Sequence, residues 1–139
     1  MFTIDYATDQ DVRFWLSQDR HIKQSELILK IRDRRCYIIK DNDTPVGILR
    51  YGLFWDECPF LNLIYFVEAY RNKGYGTKAM RHWENEMREA GYKIILTSTM
   101  VDEGAQHFYR KLGYKDCGCL ILDNSPLIEA MEMFMMKRL

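Results

Sequence analysis

Arg71, Asn72, Lys73, Gly74, Tyr75, Gly76 and Thr77 stand where an apolar run, residues 61–67, gives way to a helical pattern. At such a turn the backbone amides can converge on one concave nest. The helix start adds unpaired N–H groups and a partial positive pole, and the two together attract anions. Gly74 and Gly76 carry no Cβ, so they permit unusual backbone angles and close approach by a bulky ligand. Arg71, Lys73 and Lys78 add mobile positive charge beside the nest. The chemistry implied is the seating of a diphosphate. A Gly-x-Gly turn before a helix is also simply a tight loop, and that reading stands beside the first.

Three phosphate-loop patterns compete for these residues. The triphosphate pattern G-x-x-x-x-G-K-[ST] does not occur. The dinucleotide pattern is formally present as G-x-G-x-x-A across Gly74, Gly76 and Ala79, but it requires a following strand that ends in an acidic residue. Here that strand, residues 94–96, runs into Thr97-Ser98-Thr99. The third pattern, R/Q-x-x-G-x-G/A, is met by Arg71, Gly74 and Gly76. A second segment, residues 102–114, follows N-x-x-A-x-x-F-Y-x-x-x-G-[FY] through Ala105, Phe108, Tyr109, Gly113 and Tyr114, with Asp102 in the asparagine position. With both motifs in this order, one helix and one strand apart, the chain resembles the GCN5-related N-acetyltransferases (GNAT). The resemblance covers nearly the whole chain in element order and about residues 61–115 in recognisable sequence.

The resemblance implies an α+β fold in which a central mixed, mostly antiparallel sheet is flanked by about four helices. Two parallel strands, residues 61–67 and 93–98, would splay apart and admit the pantetheine arm of acetyl-coenzyme A. The implied activity is transfer of acetyl from acetyl-coenzyme A to a primary amine of a small molecule or protein, by direct attack in a ternary complex. The alternative is a non-catalytic module that binds the coenzyme as a sensor or partner subunit. The implied coenzyme-binding residues are Phe66, Val67, Arg71, Asn72, Lys73, Gly74, Tyr75, Gly76, Thr77, Asp102 and Tyr109, with the N–H of Phe66 or Val67 polarising the thioester oxygen. A carboxylate caps a helix but cannot donate as an amide does, so Asp102 reads as a cap more than a ligand. Tyr109 takes the family's general-acid position, donating to the leaving thiolate. Without the motif it would read as a core residue with its hydroxyl at the rim.

The base carries no comparable signature. Asp56 and Glu57 lie at a strand end expected to face the acceptor, and Glu57 is the candidate; Glu68 is a second. Each also reads as an ordinary solvated carboxylate. His107, two positions from Tyr109, points away from it on a helix, and His21 and His82 have no supporting context. Trp55, Tyr51 and Tyr65 either line an acceptor pocket or belong to the core.

The elements that must position these groups are those of one domain, residues 1–139, long enough to bury about two-thirds of its unfolded surface. Twenty acidic and twenty basic residues cancel, which argues against a nucleic-acid binder. There is no basic start followed by an apolar run and no apolar stretch near ~20 residues, so neither signal peptide nor membrane span is expected and the cytosol is. The spacing of Cys36, Cys58, Cys117 and Cys119 suits reduced thiols filling apolar space better than a metal or disulfides. Dimers being common in the resembled family, a homodimer is one expectation.

Along the chain, residues 3–6 read as an edge strand, Thr8 and Asp11 as a capping box, and residues 12–16 and 21–32 as two helices. Strands follow at 36–39, 45–55 and 60–67, an antiparallel meander feeding the loop. Met80, Trp83 and Met87 mark the inner face of a helix stopped by Gly91, with Glu84, Glu86, Arg88 and Glu89 largely on the solvated side. A strand at 93–98 precedes a helix capped by Asp102 and stopped by Gly113. Strands at 114–122 and 130–137 close the chain around an Asn124-Ser125-Pro126 turn. Methionines 131, 133, 135 and 136 read as core filling.

Overall fold

A computed structural model describes residues 1–122, 126 and 131–139. The strands are β1 (Phe2–Tyr6), β2 (Cys36–Asp41), β3 (Thr44–Phe54), β4 (Cys58–Phe66), β5 (Ile94–Met100), β6 (Lys115–Leu120) and β7 (Glu132–Arg138). The helices are α1 (Val12–Gln18), α2 (Gln24–Arg32), α3 (Tyr75–Glu89) and α4 (Ala105–Lys111). The seven strands form one mixed sheet in the order β1-β2-β3-β4-β5-β7-β6. The expected strand and helix types recur in the expected order. The Asn124-Ser125-Pro126 turn falls, apart from Pro126, outside the described residues.

The chain forms two compact units, Met1–Gly52 with Asn62–Glu86 and Leu53–Leu61 with Met87–Leu139. In the first, β2 pairs antiparallel with β1, Tyr6 opposite Tyr37, and with β3, Ile38 opposite Ile48. One face buries Ala7, Trp15, Leu27, Cys36, Ile38 and Ile48 against the two amphipathic helices α1 and α2. Thr8 and Asp11 do form a capping box, the Thr8 N–H donating to the Asp11 carboxylate at 2.8 Å, although the turn it opens is a 3-10 turn leading into α1.

Strand alternation sends Tyr37, Leu49 and Tyr51 to the other face. There Tyr51 packs on Trp83 of α3 at 5.6 Å between ring centroids, and Tyr37 meets His82 at 5.8 Å. Met80 and Trp83 are fully buried, as the helical spacing predicts. Glu84 and Glu86 correct the expectation of a solvated side. Glu84 is buried, and Glu86 accepts hydrogen bonds from the hydroxyls of Tyr37 and Tyr6 and pairs with His82 at 3.1 Å. Asp19 is buried too: its carboxylate accepts Arg50 Nε at 2.7 Å, Trp15 Nε1 at 3.0 Å and the His21 N–H at 3.0 Å.

In the second unit Phe60 and Leu61 of β4 pair parallel with Leu96 and Thr97 of β5, the parallel contact expected of these strands. On its other edge β5 pairs antiparallel with β7 from Ile94↔Arg138 to Met100↔Glu132, and β7 pairs with β6. Phe54, Phe60 and Phe134 pack together, Phe134 meeting the other two edge-on. Met135 is fully buried, but Met131 is 40% exposed and so is not core filling. Cys36 fills apolar space as expected; Cys117 and Cys119 instead lie exposed on β6, and all four thiols are free. Among the described residues no cluster suits a metal ion, and no helix is long and apolar enough to cross a membrane.

Candidate functional site

The loop after β4 is built by backbone conformation. A 3-10 turn, Glu68–Tyr70, leads into Arg71; Asn72 then takes φ +59° and Gly74 φ +85°. Both values lie in the left-handed region, which Asn tolerates and Gly adopts without a Cβ penalty. The reversal delivers the chain straight into α3. The first bond of that helix runs from the Lys78 N–H to the Gly74 carbonyl at 3.2 Å, leaving the N–H groups of Tyr75, Gly76 and Thr77 without partners inside the helix. Gly76 lies within α3 without a positive φ, so the unusual backbone angle expected of it is not taken up.

The charges beside the loop are less mobile than expected. Arg71 Nε donates to the Phe66 carbonyl at 2.9 Å, Nη2 to the Tyr65 hydroxyl at 2.6 Å, and the guanidinium lies 4.8 Å from the Tyr65 ring centroid. Lys78 Nζ sits over the rings of Phe2 and Tyr75. Lys73 is exposed at the tip. Tyr75 anchors the loop from behind, stacked on Phe2 at 5.0 Å and flanked by Tyr70 and Phe66. The Tyr70 hydroxyl donates to Asp41 at 2.9 Å.

The structure separates the two candidate amides at the end of β4. The Val67 N–H donates to the Val46 carbonyl at 2.9 Å and is therefore occupied. Alternation along an extended strand turns the Phe66 N–H to the opposite edge, the edge on which its carbonyl meets Arg71. Of the two, it is the Val67 amide whose hydrogen bond is already spent within the sheet.

Tyr109 lies in the second unit, on α4, 7% exposed and edge-on to Tyr114 at 5.7 Å. Burial pushes its phenol up to about 12, the proximity of the Thr97 hydroxyl pulls the other way, and the nearby Glu103 charge adds to the rise. The phenol is thus fully protonated at neutral pH. It is also a weaker acid than free tyrosine, so giving its proton to a thiolate is a steeper step than for an exposed phenol. The Thr97 hydroxyl, 1% exposed, donates to the Leu61 carbonyl at 3.2 Å. Two residues along the same face of β5, Thr99 is 5% exposed and its Oγ1 has no hydrogen-bond partner among the described residues.

Asp102 is not the helix cap. Glu103 N–H turns back to Met100, and α4 begins after Gly104 with no side-chain capping bond, leaving Asp102 exposed. Glu57 lies exposed in the β3–β4 turn, its N–H donating to Phe54, and Trp55 beside it is 77% exposed. Glu68 and His107 are exposed as well. Tyr51 belongs to the core and Tyr65 to the Arg71 brace. The burial of the Thr97 and Thr99 hydroxyls was not foreseen from the sequence. Their only signal in the sequence is two hydroxyls alternating in a strand otherwise read as apolar.

The fold has close counterparts. Ard1 from Thermoplasma volcanium matches with a TM-score of 0.87 at 16% identity, covering 99% of this chain and 97% of that one. The ribosomal-protein-alanine N-acetyltransferase from Brucella melitensis matches at 0.82 and 18%, covering 99% of each. PaiA N-acetyltransferase from Thermoplasma acidophilum, solved in complex with coenzyme A, matches at 0.80 and 14%, covering 100% of this chain and 99% of that one. No curated protein matches the sequence. The model of the Acetyltransferase (GNAT) family matches residues 3–114, a span holding both motifs, the glycine loop and Tyr109. The chain belongs to the GNAT acetyltransferase family.

Proposed function

We propose that the chain is an N-acetyltransferase that moves acetyl from acetyl-coenzyme A to a primary amine of a small molecule or protein, by direct attack in a ternary complex. The observation that carries this reading is the loop: Gly74 at φ +85° opens α3 with the N–H groups of residues 75–77 unused inside the helix. Those amides, with Asn72 and Lys73, take the diphosphate of the coenzyme, which supplies the acetyl thioester. The coenzyme A bound to the Thermoplasma acidophilum protein of the same fold is in keeping with this donor.

The remaining roles follow from the chemistry of a thioester. The amine nitrogen attacks the carbonyl carbon, and the oxygen takes up negative charge that the Phe66 N–H stabilises. Collapse of the adduct breaks the C–S bond and sends the electron pair to sulfur. Tyr109, held protonated by burial, gives sulfur its proton. Glu57 is the proposed base for the proton the amine loses. Holding both reactants together lowers the entropic barrier, with effective molarities on the order of 10⁵ M or more for well-aligned pairs.

The exposed setting of Glu57 favours a second reading, a non-catalytic module that binds the same coenzyme. Calorimetry with acetyl-coenzyme A, joined to thiol release over a panel of primary amines and of peptides with free amino ends, separates the two. The enzyme reading expects binding, thiol release with at least one acceptor, and loss of turnover by about 10²-fold or more in Tyr109→Phe with binding retained. Binding without thiol release from any acceptor supports the module. Absence of binding at millimolar coenzyme overturns both.

A further inference from the structure

We propose that Tyr65 is a positioning residue for coenzyme binding: its ring and hydroxyl hold Arg71 at the end of β4, so that the unspent N–H groups of a fixed guanidinium meet a phosphate of acetyl-coenzyme A. The choice of ligand rests on the acetyltransferase reading above. The brace does not.

A guanidinium carries five N–H donors in one plane and accepts nothing. In Arg71, Nε spends its hydrogen on the Phe66 carbonyl at 2.9 Å, and Nη2 spends one on the Tyr65 hydroxyl at 2.6 Å. The other three N–H groups have no partner among the described residues. Arg71 is exposed and stands one residue before the left-handed turn at Asn72. The unspent donors thus belong to a group held beside the start of the loop. Paired, coplanar N–H groups are the form in which arginine takes a phosphate, two oxygens at a time.

Tyr65 holds this group twice. Its oxygen accepts the Nη2 hydrogen, and its ring lies against the guanidinium, with 4.8 Å between the ring centroid and Cζ. The ring fixes the plane; the hydroxyl and the Phe66 carbonyl fix rotation within it. The next side chain along β4 faces the other way. The ring of Phe66 is 7% exposed and lies 6.5 Å from that of Tyr75 between centroids. The end of β4 therefore grips the loop at two points, Arg71 and the residue that opens α3.

A long cationic side chain surrenders rotamer freedom when it grips a ligand. Here the fold has taken that freedom beforehand, so less is lost on binding. Lys73, exposed at the tip of the same loop, supplies charge on a flexible stem instead. Tyr65 is 38% exposed, and a cation held against an exposed ring adds little to folding stability. Its consequence is where it leaves the guanidinium.

The test is calorimetry on the full chain with acetyl-coenzyme A, comparing wild type with Tyr65→Phe, which keeps the ring, and Tyr65→Leu, which removes ring and hydroxyl together. Binding is expected to weaken about fivefold in the phenylalanine variant and about tenfold or more in the leucine variant. In an Arg71→Met background, Tyr65→Leu is expected to change nothing further. In thiol release, with an acceptor drawn from the amine and peptide panel, the loss is expected in KM for the coenzyme and not in kcat. Acetyl-pantetheine carries the same thioester and no phosphate, and is expected to react equally well with wild type and Tyr65→Leu. The brace is read separately in the ligand-free chain. The Arg71 Nε–H resonance, identified by its loss in Arg71→Met, is expected to exchange with solvent faster in Tyr65→Leu than in wild type. Wild-type binding that Tyr65→Leu leaves unchanged overturns this inference alone, as does an equal loss in the Arg71→Met background. Weakened binding as stated, in a chain that acetylates no amine, upholds the inference and overturns the transferase reading alone. A wild-type chain that binds no acetyl-coenzyme A overturns that reading and this use of the brace together.

Discussion

Gly47 lies directly beneath the ring of Phe66: a Cβ at position 47 would come within 2.6 Å of Cε1 and 2.7 Å of Cδ1. Only glycine fits on β3 beneath the ring of Phe66, whose amide is proposed to meet the thioester oxygen. Gly47→Ala forces that ring out of its place and is expected to cost about 1–3 kcal/mol. Urea unfolding measures the loss, and acetyl-coenzyme A affinity is expected to fall with it. An unchanged midpoint would show that the ring moves freely.

Gly74 presents a different case, for nothing lies within 4 Å of a Cβ built there. The obstacle is φ +85°, which costs an L-residue about 1–2 kcal/mol. Gly74→Ala is expected to weaken acetyl-coenzyme A about tenfold in calorimetry, if the loop relaxes to escape the strain. An alanine variant with wild-type affinity would locate the diphosphate elsewhere.

Thr99 buries an oxygen that lacks a partner among the described residues. Burial of an unsatisfied hydroxyl is a standing cost, so Thr99→Val is expected to stabilise the ligand-free chain by about 1 kcal/mol, read as a higher thermal midpoint. Where the hydroxyl meets a ligand, the same variant raises KM. Earlier unfolding of the variant would show that the hydroxyl is already satisfied.

Asp19 couples stability to acid. Burial alone would raise its pKa, but hydrogen bonds from Arg50, the His21 amide and Trp15, together with the Arg50 charge, outweigh burial and hold the carboxyl below the ordinary 3.8. Its contribution is therefore complete above pH 3.8 and is lost as pH falls through the lower, folded-state value. Asp19→Ala leaves Arg50 buried without its carboxylate and is expected to cost about 3–5 kcal/mol at neutral pH. The gap between wild type and variant in chemical unfolding is expected to narrow as pH falls below 3.8, and a constant gap would refute the assignment.

Tyr109 sets a limit at the other end of the scale. With its phenol at about 12, the transfer rate is expected to stay level through pH 10, where a free tyrosine is half ionised. A rate that halves near pH 10 would mean that the phenol is not the buried one described.

The glycine loop was legible because its signal is local. Left-handed φ at Gly74, the helix starting at Tyr75 and the stops at Gly91 and Gly113 all follow from residues within a few positions of one another. What escaped was set by partners far along the chain. Arg71 reads as free charge until Tyr65 and the Phe66 carbonyl are seen to hold it. Glu86 reads as solvated until two tyrosines from β1 and β2 reach it. Asp102 failed for a local reason: a turn closing on Met100 delays the helix to Ala105, too late for that carboxylate to cap it. Thr97 reads as one more strand residue until the fold brings the Leu61 carbonyl within reach of its hydroxyl.

The stacking of Phe2 on Tyr75 carries a practical warning. Phe2 stacks on the residue that opens α3, so a change of side chain at position 2 reaches the proposed coenzyme loop through two rings. Trouble at one ring is trouble at the other: whatever ligand the loop proves to take, its seat is only as firm as that stack.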